Sequence, residues 1–183
     1  MRRANAIITS LIMILFLIHM IWGSLELAGM TPGGNNLFTK LSYLMVGLIV
    51  VHMLISLKLT WDTLRARKAA GVSYRKANRL FWVRRISGMA LMIFIALHVV
   101  VFRGRQTAEG YRLQLFNGGR LAVQLLMVAA LMVHLLTNIG PLKIALGIED
   151  HKGFRVDILL TLSLLLLLAA AAFVIYYLRW QMV

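Results

Sequence analysis

The chain has 183 residues, of which 61% are hydrophobic, and a formal net charge of +14 from 20 Lys and Arg against 6 Asp and Glu. A mean hydropathy of +0.83 is far above that of a soluble domain and indicates an integral membrane protein. The absence of cysteine excludes covalently attached c-type haem, a protein-bound iron–sulfur cluster, a thiolate redox site and a disulfide.

Five apolar runs are each close to the roughly 20 residues that a helix needs to cross a hydrocarbon core. We predict an all-α membrane protein, with residues 1–183 forming one domain. Helices one to four form a bundle, and helix five, which carries no histidine, is peripheral. The first run is too long for the apolar region of a signal peptide, so we expect it to remain as a helix. The predicted spans are Ala4–Leu27, Lys40–Thr63, Leu80–Phe102, Gly119–Ala145 and Val156–Leu178.

The positive charges follow this topology. If the N-terminus is cytoplasmic, fourteen of the twenty Lys and Arg residues lie on that side and six outside, which satisfies the positive-inside rule. We therefore predict a bacterial cytoplasmic (inner) membrane protein with its C-terminus outside, and no nucleic-acid partner. The densest basic stretch, Arg65–Arg85, contacts either anionic lipid headgroups or an acidic patch on a soluble protein.

Each of the first four helices contains one deeply placed histidine: His19, His52, His98 and His134. Ionisable groups within a bilayer are rare and usually functional. With a rise of about 1.5 Å per residue and alternating helix directions, His19 lies roughly 22 Å from the cytoplasmic end and His98 roughly 27 Å. His52 and His134 both lie roughly 16 Å deep. The histidines therefore form an outer pair, His19 with His98, and an inner pair, His52 with His134.

Paired histidines at one depth are what a bis-imidazole haem requires, because iron takes one axial ligand from each side of the ring. A single zinc or copper site would gather its ligands at one point, whereas these two levels are roughly 8 Å apart. Hydrogen bonding between helices is a simpler explanation for a lone histidine. The eleven methionines allow His/Met ligation, but their scatter over many helix faces favours a packing role.

Polar residues near the histidines are candidates for contact with a haem edge or propionate. Ser56 and Asn138 lie one turn inward of His52 and His134, and either could instead bond a helix carbonyl. Ser87 shares the face of His98 nearer the inner level. Arg84 and Arg85 lie just below it and could either bind a propionate or extend toward the interface.

Helix three carries a motif typical of a known family. Residues Asn78–Gly88, followed by nine residues and His98, resemble the Arg-x-(Ser/Thr)-Gly-x9-His signature of the cytochrome b membrane anchor of succinate dehydrogenases and fumarate reductases. The similarity is to the single-subunit, five-helix, di-haem type. It extends to the basic Ser73–Arg75 element, to His134–Asn138 and on to Gly147.

This resemblance implies that His19 with His98 bind a distal haem b, and His52 with His134 a proximal one. It implies a flavoprotein subunit and an iron–sulfur subunit docked on the cytoplasmic face, and menaquinone as the quinone. The chain is then a quinone-reactive electron-transfer subunit rather than a complete enzyme. We expect Glu26, an interfacial acid two turns from His19 on the same face, to exchange the quinone proton.

Two alternatives stay open. The chain could be the cytochrome b subunit of another dehydrogenase, such as a hydrogenase or formate dehydrogenase, which the helix-three signature disfavours. It could also be a haem-free anchor that only positions soluble subunits. As a solvated interfacial carboxylate, Glu26 could be without function. Oligomerisation of the whole complex is compatible with either.

Overall fold

The computed structural model describes residues 1–69, 78–107, 110–112, 116–148 and 152–181. Its five α-helices are all long and apolar enough to cross a membrane, which confirms the predicted helical, multi-pass body. A short β-hairpin lies between the third and fourth helices. The elements are α1 (Arg2–Ala28), α2 (Asn36–Ala69), α3 (Arg79–Phe102), β1 (Arg105–Thr107), β2 (Gly110–Arg112), α4 (Gly118–Leu146) and α5 (Lys152–Gln181).

The helix ends follow local chemistry. α1 and α4 each end at a glycine in the left-handed conformation, Gly29 with φ 78° and Gly147 with φ 74°. Such a conformation is inexpensive only for glycine, and it lets the N–H groups that follow the helix bond its last carbonyls. At the start of α2, the side-chain oxygen of Asn35 accepts a hydrogen bond from the Leu37 N–H at 2.9 Å.

α2 is longer than its apolar run. The predicted span was Lys40–Thr63, but the helix covers Asn36–Ala69, 34 residues or about 51 Å. Apolarity ends near Thr63, whereas the Leu, Ala, Arg and Lys residues that follow are all good helix formers. α2 therefore projects beyond a hydrocarbon core of about 30 Å. The predicted Ser73–Arg75 element, which contributes to the middle of the basic stretch, lies outside the described residues.

The helices associate as two antiparallel pairs. α1 packs along α2, which we call the first hairpin, and α3 packs along α4, which we call the second hairpin. α5 packs against both α1 and α4, and α1 also contacts α4. In the described part of the chain, α2 and α3 do not pack along one another. The two hairpins are thus joined on the side of α5 and lie apart on the other side.

The fifth helix is not peripheral, so that prediction is corrected. α5 contributes Leu166, Ala169 and Phe173 to the buried core, together with Met20 of α1 and Val128 of α4. Leu166 is only 1% exposed. The prediction relied on the absence of a histidine, but a helix without a ligand can still close a bundle. α5 packs between α1 and α4, and its apolar residues face both helices there.

Candidate functional site

A large cavity lies between the two hairpins. Its volume is about 2070 Å³, well above the roughly 300–1,000 Å³ of a pocket for a single drug-sized ligand. All four membrane histidines line it, and most of the remaining lining is apolar. The cavity runs along the bundle and is large enough for more than one extended ligand.

His19 and His98 face each other across this cavity, one from each hairpin. Their ring centroids are 6.0 Å apart and their planes are inclined by 80°. A metal–imidazole bond is about 2 Å long, so two such bonds on opposite sides of one metal, with two ring radii of about 1.2 Å, place the centroids roughly 6 Å apart. The separation therefore fits one metal ion held between the two rings.

His52 and His134 form the second pair, again with one ring from each hairpin. Both rings line the same cavity. The fold thus brings His19 and His98 together as predicted from helix depth, and it places His52 and His134 on the same cavity. Within the described residues, no group of three or more His, Cys, Asp or Glu side chains is placed to hold a metal ion.

In the first hairpin, each histidine bonds to the helix opposite. His19 Nδ1 is 2.9 Å from Ser42 Oγ on α2. His52 Nδ1 is 3.1 Å from both Thr9 Oγ1 and Asn5 Oδ1 on α1. The exchange is reciprocal, because each of the two helices supplies polar partners to the histidine of the other.

The second hairpin repeats this exchange. His98 Nδ1 of α3 is 2.8 Å from Gln124 Oε1 of α4, and His134 Nδ1 of α4 is 3.1 Å from Ser87 Oγ of α3. No hydrogen bond occupies the Nε2 atom of any of these four described rings. Each ring therefore keeps one nitrogen for its own hairpin and leaves the other available in the cavity.

These contacts also measure the distance between the two levels. On α1, Thr9 lies at the level of His52, ten residues before His19, and α2 and α4 show the same ten-residue interval between Ser42 and His52 and between Gln124 and His134. Ten residues of helix rise about 15 Å. The predicted separation of roughly 8 Å was therefore too small, because the assumed helix ends misplaced His52 and His134 relative to the other pair.

The candidate polar residues divide into two groups. Ser56, Arg84, Arg85 and Asn138 line the cavity near His52 and His134, while Ser87 does not line it. Ser87 instead bonds the His134 ring. Asn138 Nδ2 donates to the His134 carbonyl at 2.7 Å. Of the two predicted roles for Asn138, the structure thus shows the hydrogen bond to a helix carbonyl.

Arg84 has a structural task on α4. Pro141 has no N–H, so the carbonyl four residues earlier, on Thr137, loses its helical partner. Arg84 Nε of α3 donates to that carbonyl at 2.8 Å. One turn away, Gly88 allows the His134 ring to approach α3, since a Cβ there would lie 3.1 Å from His134 Cε1. This part of α3 therefore stabilises α4 close to His134, through the Arg84 hydrogen bond and the close approach at Gly88.

Glu26 lies at the opposite end of the cavity, on the His19 side. Trp22 Nε1 donates to Glu26 Oε1 at 2.9 Å, and the Trp22 ring stacks on Phe38 with centroids 4.2 Å apart. Arg179 of α5 donates to the neighbouring Leu27 carbonyl at 3.0 Å. One carboxylate oxygen is thus fixed by an indole N–H, in a half-buried position lining the cavity.

Sequence reasoning missed the acceptors Asn5, Thr9, Ser42 and Gln124. A detectable signal exists, because in each of the four helices a Ser, Thr or Gln precedes the histidine by ten or eleven residues. It was not recognised because a hydroxyl in a membrane helix ordinarily bonds its own backbone. The spacing has meaning only once the helices are known to pack as reciprocal hairpins.

Comparisons with protein-family models, with curated proteins and with solved structures found no match to this chain.

Proposed function

We propose that this chain is a di-haem cytochrome b, the membrane anchor and electron-transfer subunit of a succinate:quinone or quinol:fumarate oxidoreductase. The observation that carries the proposal is the placement of four imidazoles, two from each hairpin, around one cavity, with His19 and His98 facing each other. Each Nδ1 is engaged by a neighbouring helix, and each Nε2 is left available in a cavity of about 2070 Å³. The helix-three signature directs the proposal to this family.

His19 and His98 hold one haem b through their Nε2 atoms, and His52 and His134 hold the other. When bound, these groups supply reversible one-electron redox chemistry at two levels of the membrane. The chain itself orients the four imidazoles, and its mostly apolar lining excludes water from the cavity. The absence of a three-residue ligand cluster among the described residues agrees with two bis-imidazole sites better than with one zinc or copper site.

The end of the bundle where α1 begins carries the groups suited to propionates and to a soluble partner. Arg84, Arg85, Ser56 and Asn138 line the cavity there. Exposed cations surround the same end on α1, α2 and α3, at Arg2, Arg3, Arg65, Lys68 and Arg79. We place this end in the cytoplasm, where an iron–sulfur subunit with its flavoprotein docks by charge complementarity.

Quinone reacts at the other end, beside His19. Trp22 and Phe38 offer stacked aromatic faces and Glu26 a carboxylate, which together suit a planar ring that exchanges protons with its electrons. Trp22 holds Glu26 Oε1, so Oε2 is the oxygen that we assign to proton exchange. Menaquinone is the quinone that the family resemblance favours.

The optical spectrum of the purified chain tests the proposal. We expect a dithionite-reduced b-type band and a haem content of about two per chain by pyridine haemochromogen assay. If no reducible band is present after expression with excess haem, the di-haem proposal is wrong and the haem-free anchor is the remaining alternative. Co-purification with a flavin-containing dehydrogenase of succinate would support the respiratory assignment, and co-purification with a hydrogenase or formate dehydrogenase would replace it.

A further inference from the structure

We propose that the side chains bonded to the four Nδ1 atoms are positioning residues, which fix every membrane histidine as the Nδ1–H tautomer and so present a bare Nε2 lone pair to the cavity. The purpose of this arrangement rests on the proposed function, whereas the tautomer can be measured whether or not haem is bound. The tautomer of a neutral imidazole is set by what its other nitrogen meets. The residues concerned are Thr9, Ser42, Ser87 and Gln124, with Asn5 as a second acceptor for His52.

The direction of the hydroxyl bonds follows from where each hydroxyl proton goes. Ser42 Oγ donates to the Phe38 carbonyl at 2.8 Å, and Thr9 Oγ1 donates to the Asn5 carbonyl at 2.8 Å. Ser87 Oγ likewise donates to the Arg84 carbonyl at 3.2 Å. A hydroxyl has one proton, so an oxygen that gives it to its own helix can only accept from the imidazole. The imidazole must then carry its proton on Nδ1.

Gln124 performs the same task for His98 by different chemistry. It is 0% exposed, and its Oε1 is 2.8 Å from His98 Nδ1, while its Nε2 is buried without a hydrogen-bond partner. A buried amide with an unsatisfied donor is destabilising, so packing alone gives no reason for a glutamine here. Acceptance from His98 is the interaction that the glutamine provides and that an apolar side chain of similar size does not.

The four histidines do not have equal numbers of acceptors. His52 has two, Thr9 and Asn5, whereas His19, His98 and His134 each have one. Loss of Thr9 alone should therefore be tolerated, and loss of Ser42, Ser87 or Gln124 should not. An acceptor on Nδ1 also makes Nε2 more electron-donating. Its removal should raise the midpoint potential of the haem at that level and leave the other level unchanged.

A purely structural role for Gln124 predicts a different order of variants. If Gln124 only fills space, then Gln124→Leu is mild and Gln124→Glu, which brings an acid into the core, is severe. If Gln124 is an acceptor, Gln124→Glu keeps the oxygen and removes the orphaned donor, while Gln124→Leu removes the oxygen. We therefore expect Gln124→Glu to behave like wild type or better, and Gln124→Leu to lose haem affinity at one level by about 10–100-fold.

The test uses the complete chain as purified, labelled with ¹⁵N-histidine and kept reduced and at alkaline pH. We expect four slowly exchanging imidazole protons, all on Nδ1. Gln124→Leu should accelerate exchange of one proton only, and Gln124→Glu should not. Ser42→Ala and Ser87→Ala should each release one further proton, and Thr9→Val none. Ser10→Ala is the matched control, because Ser10 Oγ donates to the Ala6 carbonyl at 3.0 Å in the same way and makes no hydrogen bond to any of the four described histidines.

The outcomes separate this inference from the proposed function. Purified protein without haem but with four protected Nδ1–H protons would end the di-haem proposal and keep the positioning role. Protein with haem whose exchange and potentials are equally altered by Gln124→Leu and Gln124→Glu, or unaltered by both, would overturn the positioning role. Protons found on Nε2 in haem-free protein would overturn it too. If Gln124→Leu fails to fold, imidazole proton exchange in Ser42→Ala is compared with that in Ser10→Ala. Equal exchange in these two variants would overturn the positioning role.

Discussion

The two levels each contain two histidines but differ in their surroundings. At the His19–His98 level, the His98 ring lies 4.9 Å from Phe102 and 6.2 Å from Phe173, beside the buried core that α5 completes. At the His52–His134 level, the neighbours are polar, with Arg84, Arg85 and Asn138 lining the cavity. Aromatic packing adds to the hydrogen bonds of the first pair, whereas the second pair depends mainly on hydrogen bonds, from α1 to His52 and from α3 to His134.

A pair of histidines can therefore be held in place by aromatic packing or by polar neighbours. An aromatic, dry surrounding resists rearrangement because its contacts are many and non-directional. A polar surrounding depends on a few directional bonds, and each costs more when one partner is lost. The two levels should therefore respond differently to the same class of substitution.

Removing one ligand from each level has the largest expected effect. On the proposed di-haem assignment, His98→Ala should abolish haem binding at the aromatic level and His134→Ala at the polar level, because each haem would be held by one histidine from each hairpin. The haem-to-protein ratio should fall by roughly half in either variant, and the remaining EPR signal should differ between them. Loss of all haem in both would instead mean that the bundle assembles only when both levels are filled.

The core at the aromatic level can be weakened without touching a ligand. Leu166→Ala should reduce the free energy of unfolding by about 2–5 kcal/mol, because the side chain is 1% exposed and leaves a cavity. Leu167→Ala is the control, since that side chain is 60% exposed and faces away from the core. Denaturation in mixed micelles measures both, and equal effects would contradict a core built on α5.

The polar level can be tested through the carbonyl that Pro141 leaves without a partner. Arg84→Leu should cost about 1–3 kcal/mol, because it strands the Thr137 carbonyl inside the bundle. In a Pro141→Ala background the helix regains its own N–H donor, so the same substitution should cost less. A double-mutant cycle measures this coupling, and additive effects would show that Arg84 acts elsewhere.

The smallest effect is expected at Gly88. A Cβ there would lie 3.1 Å from His134 Cε1, so Gly88→Ala should move the ring slightly and cost about 1 kcal/mol. Any spectral change should be confined to the polar level. Gly47→Ala is the control, because nothing lies within 4 Å of its added Cβ. Indistinguishable stability and spectra for the two variants would mean that Gly88 is not required for the approach of His134.

Much of the site was predictable because the relevant properties are local. Apolar runs long enough to span a membrane identify five helices, and alternating helix direction with a constant rise pairs His19 with His98 and His52 with His134. The absolute depths were less accurate, because they depend on where each helix begins. α2 in particular extends well past its apolar run on one side, to Ala69.

What the sequence alone determined is therefore the number of spans, the four histidines within those spans and their pairing by level, since composition and helix rise do not depend on neighbours. Only the tertiary structure decided which faces meet. It joined each Nδ1 to an acceptor on the opposite helix of its hairpin, matched Arg84 to the carbonyl that Pro141 frees, and buried α5 in the core. These contacts link residues distant in sequence, and their partners are chosen by packing rather than by pattern.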